Sequence, residues 1–379
     1  MSRDRAVITG VGTSRMGTFP DQTSNSLAKE AFVNALADAG LRKSDIDGLI
    51  TMPGTTSPEG AKHYLALGEL LGINPRIAWS MSMGGATVGA LVTQAALAIE
   101  AGMASTVAVV FGDTAKTGGS RFNAAAGDDD SWGIWGMFGN AANSAIAASR
   151  HMAVYGTTSE QLGWVGVTTR RHAALNPNAV MRTPYTIEDH QASRMIVDPL
   201  HLLDCCLITD GAVALVVTSP ERGRDNASHP VRIMGMGQSH SLQKLGKEDW
   251  WYMPHQRTAI ADAYRMAGVG PGDIDVAQLY DNFTISVLLW LEHAGFVKPG
   301  ESGPFVEGGE RISIGGELPV NTAGGNLSES YMQGWLHVVE GVRQLRHECG
   351  ARQVEGAEIS LVTGRGMTLN TSAALVLGR

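Results

Sequence analysis

The chain is poor in cysteine. Only three occur in 379 residues, and two of them, Cys205 and Cys206, are adjacent. Adjacent cysteines cannot easily close an unstrained disulfide, and the sequence has neither a Cys-x-x-Cys motif nor a histidine-rich metal pattern. We therefore expect a reducing compartment and no bound structural metal.

Long apolar runs and basic clusters are also lacking. After Met1-Ser-Arg-Asp-Arg the first apolar run is too short for a signal peptide or a membrane span. The formal net charge is −8 and no group of lysines and arginines stands out, which argues against a nucleic-acid surface. These absences predict a soluble, cytoplasmic protein with no membrane span and no nucleic-acid partner.

Glycine, in contrast, is abundant, with 47 residues. Many of these glycines follow short apolar runs, as in Ala6–Gly12, a pattern typical of strand-to-helix turns in α/β folds. A helix through Leu27–Leu36 is predicted next, capped by Ser24 or Ser26 and ended by Gly40.

Two short segments near the start of the chain recur, in the same order, in its second part. Val231–Gly237 echoes Ala6–Gly12, and Ala267–Asp275 echoes Ala39–Asp47, at offsets of 231 − 6 = 225 and 267 − 39 = 228 residues. Near-equal offsets in the same order indicate a duplicated α/β half rather than a solenoid. We predict halves at residues 1–222 and 228–379, joined by a polar linker, with an insertion at about 114–210 in the first half. Two such sheets, each edged by helices, would pack through their helices, and a pocket is expected where strand ends from both halves converge.

The most distinctive stretch runs from Pro319 to Trp335 and contains the loop Gly324-Gly325. It reads as a tight turn into a helix over 332–345 with Tyr331 at its start, where free N–H groups favour an anion. Three residues before that helix offer capping groups, namely Ser328, Glu329 and Ser330. Taken alone, the stretch favours a simpler interpretation, a well-capped helix with a half-buried tyrosine and no binding role.

A further segment carries a family resemblance. With the duplicated layout, Asp198-Pro-Leu-His-Leu-Leu-Asp-Cys-Cys-Leu-Ile-Thr-Asp-Gly-Ala-Val-Ala-Leu215 resembles the sterol-carrier-protein and lipid-transfer-protein branch of the thiolase superfamily. The resemblance covers essentially the whole chain. It implies a duplicated thiolase fold with five layers, α-β-α-β-α, that acts on coenzyme A thioesters without a covalently bound cofactor. It also implies that Cys205 and Cys206 are structural.

The sequence departs from thiolases at both catalytic cysteines. The nucleophile position falls in Ser80–Gly89, where Gly85, or else Gly84 or Met83, stands opposite the thiol. The second cysteine position falls in Thr363-Gly-Arg-Gly-Met367. Without either thiol there is no acyl-enzyme of the thiolase type. Three hydroxyls nearby lack an evident activating histidine: Ser80, Ser82 and Thr87.

Two other family positions are both tyrosine. They are Tyr280, in Tyr280-Asp-Asn-Phe-Thr284, and Tyr331, 331 − 280 = 51 residues later. This pattern resembles the thiolase-like aldolases of bacterial steroid side-chain degradation, which cleave a β-hydroxyacyl-CoA by a retro-aldol reaction. The resemblance implies that Tyr280 and Tyr331 are the base and its partner, in an order that the sequence leaves open. We expect the second phenol to lower the pKa of the first.

A retro-aldol step also requires donors for the thioester oxyanion. Glycine loops can supply them, and the predicted oxyanion and pocket residues are Gly84, Gly85, Asp281, Asn321, Gly324, Gly325 and Gly364. Asp281 has a second interpretation, as the cap of the helix that follows it.

The resemblance also implies partners. Thiolases form homodimers, and the aldolase-like branch is associated with a small OB-fold protein that carries a zinc ribbon, to which any zinc would belong. Candidate residues for the phosphates of coenzyme A are Arg121, Arg170, Arg171, Lys244 and Lys247; candidates for an apolar acyl pocket are Trp132, Trp135, Trp250 and Trp251. Two alternative functions remain open, a non-catalytic lipid or acyl-CoA carrier and an acyltransferase with an unrecognised nucleophile.

Overall fold

The computed structural model describes residues 6–120, 139–224, 229–242, 249–366 and 369–379. The strands within these ranges are β1 Val7–Thr13, β2 Gly48–Met52, β3 Ile77–Ser80, β4 Thr106–Thr114, β5 Met195–Val197, β6 Leu200–His201, β7 Asp210–Thr218, β8 Val231–His240, β9 Val276–Gln278, β10 Ile359–Gly366 and β11 Thr371–Gly378. The helices are α1 Ser24–Ala39, α2 His63–Leu71, α3 Thr87–Glu100, α4 Gly139–Tyr155, α5 Ser159–Ala174, α6 Ile187–Ala192, α7 Pro220–Arg224, α8 His255–Ala267, α9 Thr284–His293, α10 Ser302–Val306 and α11 Trp335–Leu345.

The first helix illustrates how local sequence sets the element ends. Thr23, rather than the predicted Ser24 or Ser26, is the N-cap of α1: its side chain accepts from the Ser26 N–H, and the Ser26 hydroxyl accepts from the Thr23 N–H. Gly40 ends the helix in the left-handed conformation, with φ of 63°, as predicted.

The strands pair in the same order in both halves of the chain. The first half has the order β3-β2-β4-β7-β1, and the second has β9-β10-β11-β8. The outer pairs are parallel and the inner pairs antiparallel in each half. A parallel bridge from Val320 to Ala277 stands beside β9, where the first half has β3. This repetition supports the duplication, although the predicted half boundaries stay a prediction.

One difference from the expected pair of separate sheets lies at the junction. β1 and β8 are hydrogen-bonded to each other, with Val7 opposite Arg232 and Ile8 opposite Val231. The nine strands therefore form one continuous mixed sheet that bends between the halves.

The core forms five layers. α1 packs on the outer face of the first half-sheet, and α8 packs on the outer face of the second. α3 and α11 lie between the two half-sheets and contact strands of both. In β10 and β11 alternate residues face opposite clusters, so that Leu361 faces the outer core while Val362 faces the middle layer. Phe111 stacks on Trp335 in that middle layer, with ring centroids 5.5 Å apart.

The insertion contributes helices α4, α5 and α6 and the short β5–β6 pairing, and its helices α4 and α5 contact α9 in the second half. None of the helices in the described part of the chain combines the length and apolar composition that crossing a membrane requires. The architecture brings the carboxyl ends of β2, β3, β9 and β10 near one another, and the segments that follow these ends build the site.

Candidate active site

A cavity of about 360 Å³ lies at these strand ends. Its lining draws on both halves of the chain. The described lining residues are Met52, Pro53, Gly54, Thr55, Ser57, Gly60, Ser82, Gly84, Gly85, Asn140, Tyr280, Asn282, Tyr331, Gln333, Arg365, Gly366 and Leu369.

The two predicted tyrosines meet in this cavity. The hydroxyl oxygens of Tyr280 and Tyr331 are 3.2 Å apart, although 51 residues separate them in the sequence. Tyr280 is 1% exposed and Tyr331 is 8% exposed. The pair is therefore hydrogen-bonded in a largely water-excluded position, with both residues lining the cavity.

Hydrogen bonds to the backbone at residues 279 and 280 position Tyr280. It follows β9, and its N–H donates to the Thr363 hydroxyl at 3.0 Å. The Asn321 side chain clamps the preceding residue, Leu279, accepting from its N–H at 2.7 Å and donating to its carbonyl at 2.8 Å. Asn321 is thus a support of Tyr280 rather than a lining residue of the described cavity.

Tyr331 is held by the segment that follows β6. Its N–H donates to the Thr209 hydroxyl at 3.1 Å, and Thr209 is also hydrogen-bonded to the Ser330 hydroxyl at 2.7 Å. The predicted helix over 332–345 was placed too early, because α11 begins at Trp335 after Gly334, whose φ of 84° closes the turn. Tyr331 therefore precedes the helix in an irregular segment, and Ser328, Glu329 and Ser330 are not its caps. Gly325–Glu329 forms a short π-helical turn instead.

Glycine at position 85 is required by the Tyr280 ring. A Cβ added to Gly85 would come closer than 3.0 Å to the ring and to its hydroxyl oxygen, a separation that real Cβ atoms essentially never show. A Cβ on Gly364 would meet the Gly85 carbonyl oxygen at 2.5 Å. A cysteine at either position is incompatible with this arrangement, because its side chain would enter the space that Tyr280 fills at 85 and would meet the Gly85 backbone at 364.

Burial opposes ionisation of the pair. It raises the pKa of Tyr280, although the hydrogen bond from Tyr331 acts in the opposite direction. Burial also raises the pKa of Tyr331 well above its usual value, and proximity to Tyr280 adds to this effect. The expected effect of the second phenol is present at Tyr280, since the hydrogen bond from Tyr331 lowers its pKa, but desolvation is the larger effect and the pKa is raised overall.

The described lining contains no carboxylate, lysine or histidine. Its ionisable side chains are Tyr280, Tyr331 and Arg365. The Arg365 guanidinium donates to the Asn282 side-chain oxygen at 2.8 Å. Ser82, which also lines the cavity, has no lining base to activate it, and Cys205 is unreactive because burial raises its pKa to about 12.

Several predicted pocket residues do not line the cavity but lie behind the residues that do. Asp281 is fully buried; it accepts from the Asn326 N–H at 2.8 Å and lies 3.0 Å from Nε2 of His337. It does not cap α9, whose N-cap is Phe283. Gly324, Gly325 and Gly364 likewise stand outside the described lining, whereas Gly84 and Gly85 belong to it.

The described candidates for contacts with coenzyme A and the acyl group also lie outside the cavity lining. Arg170 is buried and donates to the Ser328 hydroxyl, and Arg171 lies over the Trp164 ring. Trp250 and Trp251 contact each other and pack with the core of the second half. The remaining candidates lie outside the described residues: Arg121, Lys244, Lys247, Trp132 and Trp135. Among the described residues, no three acidic, histidine or cysteine side chains gather in a way that would hold a metal.

Most of the lining was not predicted from the sequence, including three polar residues, Arg365, Asn282 and Gln333. Arg365 could have been found, because it is a single charge between two glycines at the end of an apolar strand. Asn282 lies two residues after Tyr280, in the same short motif. Gln333 has a φ of 49°, which no local sequence pattern indicates.

The chain is similar to known proteins over its whole length. Residues 237–379 match the family model described as Thiolase C-terminal domain-like. The chain is 38% identical to the 17-hydroxy-3-oxo-4-pregnene-20-carboxyl-CoA lyase of Mycobacterium tuberculosis, over 100% of both chains. It is 37% identical to the steroid side-chain-cleaving aldolase of Thermomonospora curvata, over 98% of this chain and 97% of that protein.

Solved structures show the same relationship. The Ltp2-ChsH2(DUF35) aldolase superposes with a TM-score of 0.88 at 36% identity, covering 99% of this chain and 97% of that one. The human mitochondrial 3-ketoacyl-CoA thiolase in complex with CoA superposes with a TM-score of 0.74 at 15% identity, covering 99% and 98%, which is a likeness of fold.

Proposed function

Because this chain belongs to the thiolase superfamily, in the branch of thiolase-like steroid side-chain aldolases that are carbon–carbon lyases, we propose that it cleaves a β-hydroxyacyl-CoA with the Tyr280–Tyr331 pair. The acyl group is proposed to be a steroid side chain, in keeping with the names of its relatives.

One observation carries the proposal: the hydroxyls of Tyr280 and Tyr331 are 3.2 Å apart in a cavity whose described lining holds no other group able to accept a proton at neutral pH. Arg365 cannot serve as the base, since even with burial its pKa stays at about 10. The Tyr280 ring fills the space that a side chain at 85 would need, at the position that the resemblance places opposite a thiolase nucleophile, and this supports chemistry without an acyl-enzyme.

The reaction needs no oxidant and no second substrate. A tyrosine phenolate takes the proton of the β-hydroxyl, the β-carbon becomes a carbonyl, and the Cα–Cβ bond breaks. The electron pair of that bond enters the thioester as an enolate, and the phenol then returns the proton to Cα. The products are a ketone or aldehyde and a shortened acyl-CoA. Proton transfer by a positioned side chain is typically worth about 100- to 10,000-fold in rate.

The enolate oxygen requires donors. The backbone at Gly84 and Gly85 and at Gly366 lines the cavity from opposite halves of the chain, and its N–H groups are the proposed donors. Asp281, Asn321, Gly324, Gly325 and Gly364 act behind this lining by fixing the segments that carry the tyrosines and the glycine loop.

Two associations belong to the same proposal. The Ltp2 structure is that of an aldolase with a ChsH2(DUF35) component, and we propose a small partner of this kind for the present chain as well. We also propose a homodimer through β3, which is the edge strand of the first half-sheet and is half-buried along its whole length.

The test is incubation with β-hydroxyacyl-CoA thioesters, with and without a DUF35 partner, followed by mass spectrometry of the products. Release of a ketone together with a shortened acyl-CoA is expected, and the same thioester without its hydroxyl should stay intact. Tyr280→Phe and Tyr331→Phe should each lower kcat at least about 100-fold. Tyr264→Phe is the matched control, since it removes a buried hydroxyl that donates only to the Ala294 carbonyl, away from the cavity.

Other outcomes would separate the two alternative functions. Binding of the thioester without turnover under all conditions supports a carrier, and an acyl adduct on the intact protein supports an acyltransferase. Full activity in both phenylalanine variants refutes the tyrosine mechanism.

A further inference from the structure

Arg365 stands out as a buried cation at the end of β10. It is 4% exposed and lines the cavity with the two tyrosines. Its guanidinium donates to neutral groups only: Asn282 Oδ1 at 2.8 Å, the Ser144 hydroxyl at 3.3 Å and the Met253 sulfur at 3.5 Å. Within the described ranges no carboxylate forms an ion pair with it.

Two other buried arginines of the described ranges pair with carboxylates: Arg346 with Asp38 at 2.8 Å, and Arg352 with Glu340 at 3.1 Å. Arg170 has neutral partners, the Ser328 hydroxyl and the Tyr185 ring, but it lies outside the cavity lining. An uncompensated buried charge is costly, so a site that retains one usually presents it to an anion.

Four titratable side chains interact electrostatically with Arg365: Tyr280, Tyr331, Cys206 and His255. Of these, only the two tyrosines line the described cavity with it. Ionised Tyr280 and Tyr331 would each stabilise its protonated form, and in return Arg365 favours ionisation of both phenols. This attraction opposes the desolvation that keeps the phenols neutral. Burial lowers the pKa of Arg365 only to about 10, so the cation persists at neutral pH.

We propose that Arg365 is the counter-charge of the Tyr280–Tyr331 pair: it stabilises the phenolate that forms when the pair loses one proton, and thereby makes a buried tyrosine usable as a base. This proposal deepens the proposed function and rests on it for its catalytic meaning. In this role Arg365 acts through the tyrosines and is a positioning residue; its hydrogen bonds to Asn282 and Ser144 fix the guanidinium.

The decisive experiment is a near-ultraviolet titration of tyrosine ionisation without substrate. The chain has seven tyrosines, so the signal of the pair is isolated as the difference between each protein and its Tyr280→Phe or Tyr331→Phe counterpart. Arg365→Met should raise the apparent pKa of the pair by about one to three units, the usual effect of losing a close opposite charge. Arg365→Lys should restore part of the shift, because it keeps the charge without the planar fork.

Kinetics give a second readout. For Arg365→Met, kcat/KM should fall about 10- to 1,000-fold at neutral pH and should recover partly at alkaline pH, since the apparent pKa of the base has moved upward. The KM should change less than kcat. Arg346→Met is the matched control, because it removes a buried arginine remote from the cavity and should leave the tyrosine titration unchanged.

The outcomes distinguish this proposal from the function on which it rests. A shifted titration in a folded Arg365→Met protein, with no thioester cleaved by any form, supports the counter-charge and refutes the aldolase. Tyrosine-dependent cleavage with an unchanged titration and pH profile in Arg365→Met supports the aldolase and overturns the counter-charge. If Arg365→Met fails to fold by circular dichroism, Arg365→Gln takes its place as the uncharged variant: a tyrosine pKa higher in Arg365→Gln than in Arg365→Lys supports the role of the charge, and equal values in the two variants overturn it.

Discussion

Gly85→Ala is the sharpest perturbation that the site offers. The new methyl would lie closer than 3.0 Å to the Tyr280 ring, whereas ordinary contact begins at 3.4 Å. The ring must therefore move by about 1 Å. Overpacking of this kind costs about 1–3 kcal/mol of folding free energy.

The catalytic loss should exceed what the stability loss explains. A shift of about 1 Å separates the Tyr280 and Tyr331 hydroxyls, and a misplacement of that size costs about 100-fold in rate. We therefore expect a lower thermal midpoint by differential scanning calorimetry and a kcat reduced about 100-fold in protein that is still fully folded at the assay temperature.

Two further variants make the test specific. Gly68→Ala places its methyl 3.5 Å from Leu49, an ordinary contact, and should leave both stability and kcat near wild type. Tyr280→Ala should relieve the clash, so that Gly85→Ala destabilises the Tyr280→Ala background less than it destabilises the wild type. Equal destabilisation in both backgrounds, or wild-type kcat in Gly85→Ala, would refute the reasoning.

The remaining predictions concern buried polar groups. Burial raises the pKa of Glu329 to about 8, so its carboxyl group is neutral in the folded protein at lower pH. Its contribution to the free energy of unfolding is therefore full below about pH 4.5 and is lost as pH rises to 8. Glu329→Gln should flatten this decline in thermal midpoint, while Glu69→Gln, at an exposed position, should not. Burial lowers the pKa of His172 to about 4, so the free energy of unfolding should fall as pH falls from about 6.5 to 4. His172→Gln should reduce the slope of this fall by up to about 1.4 kcal/mol per pH unit, and an unchanged slope contradicts the reasoning. Asn321→Asp loses the donor to the Leu279 carbonyl and should destabilise by about 1–3 kcal/mol with a lower kcat, and wild-type values for both would exclude the clamp.

Much of the fold could be predicted from the sequence, because burial imposes strong patterns of apolar residues. β4 and β7 are buried along their whole length, and an unbroken apolar run marks the central part of each, at 107–111 and 212–217. The repeat between the halves was visible from two short echoes. The edge-to-edge pairing of β1 with β8 was not, since it depends on how the halves meet rather than on any local sequence.

The site was readable in part. Tyr280 and Tyr331 were named from their positions in family motifs, and the structure brings their hydroxyls together. The start of α11 was misplaced because Ser328-Glu329-Ser330 has the composition of a cap, while tertiary contacts hold this segment in another conformation. The net effect of the environment on the tyrosines depends on burial, which sequence does not give, and Arg365 gained its meaning only when its neighbours proved to be neutral.

The fit of the Tyr280 ring against Gly85 also couples the two positions in evolution. The ring occupies the space that any side chain at 85 would need. A side chain at 85 and the present placement of the ring are incompatible, so a substitution at 85 is tolerated only together with, or after, a smaller residue at 280. Among relatives that share this arrangement, a tyrosine at 280 is expected to occur with glycine at 85.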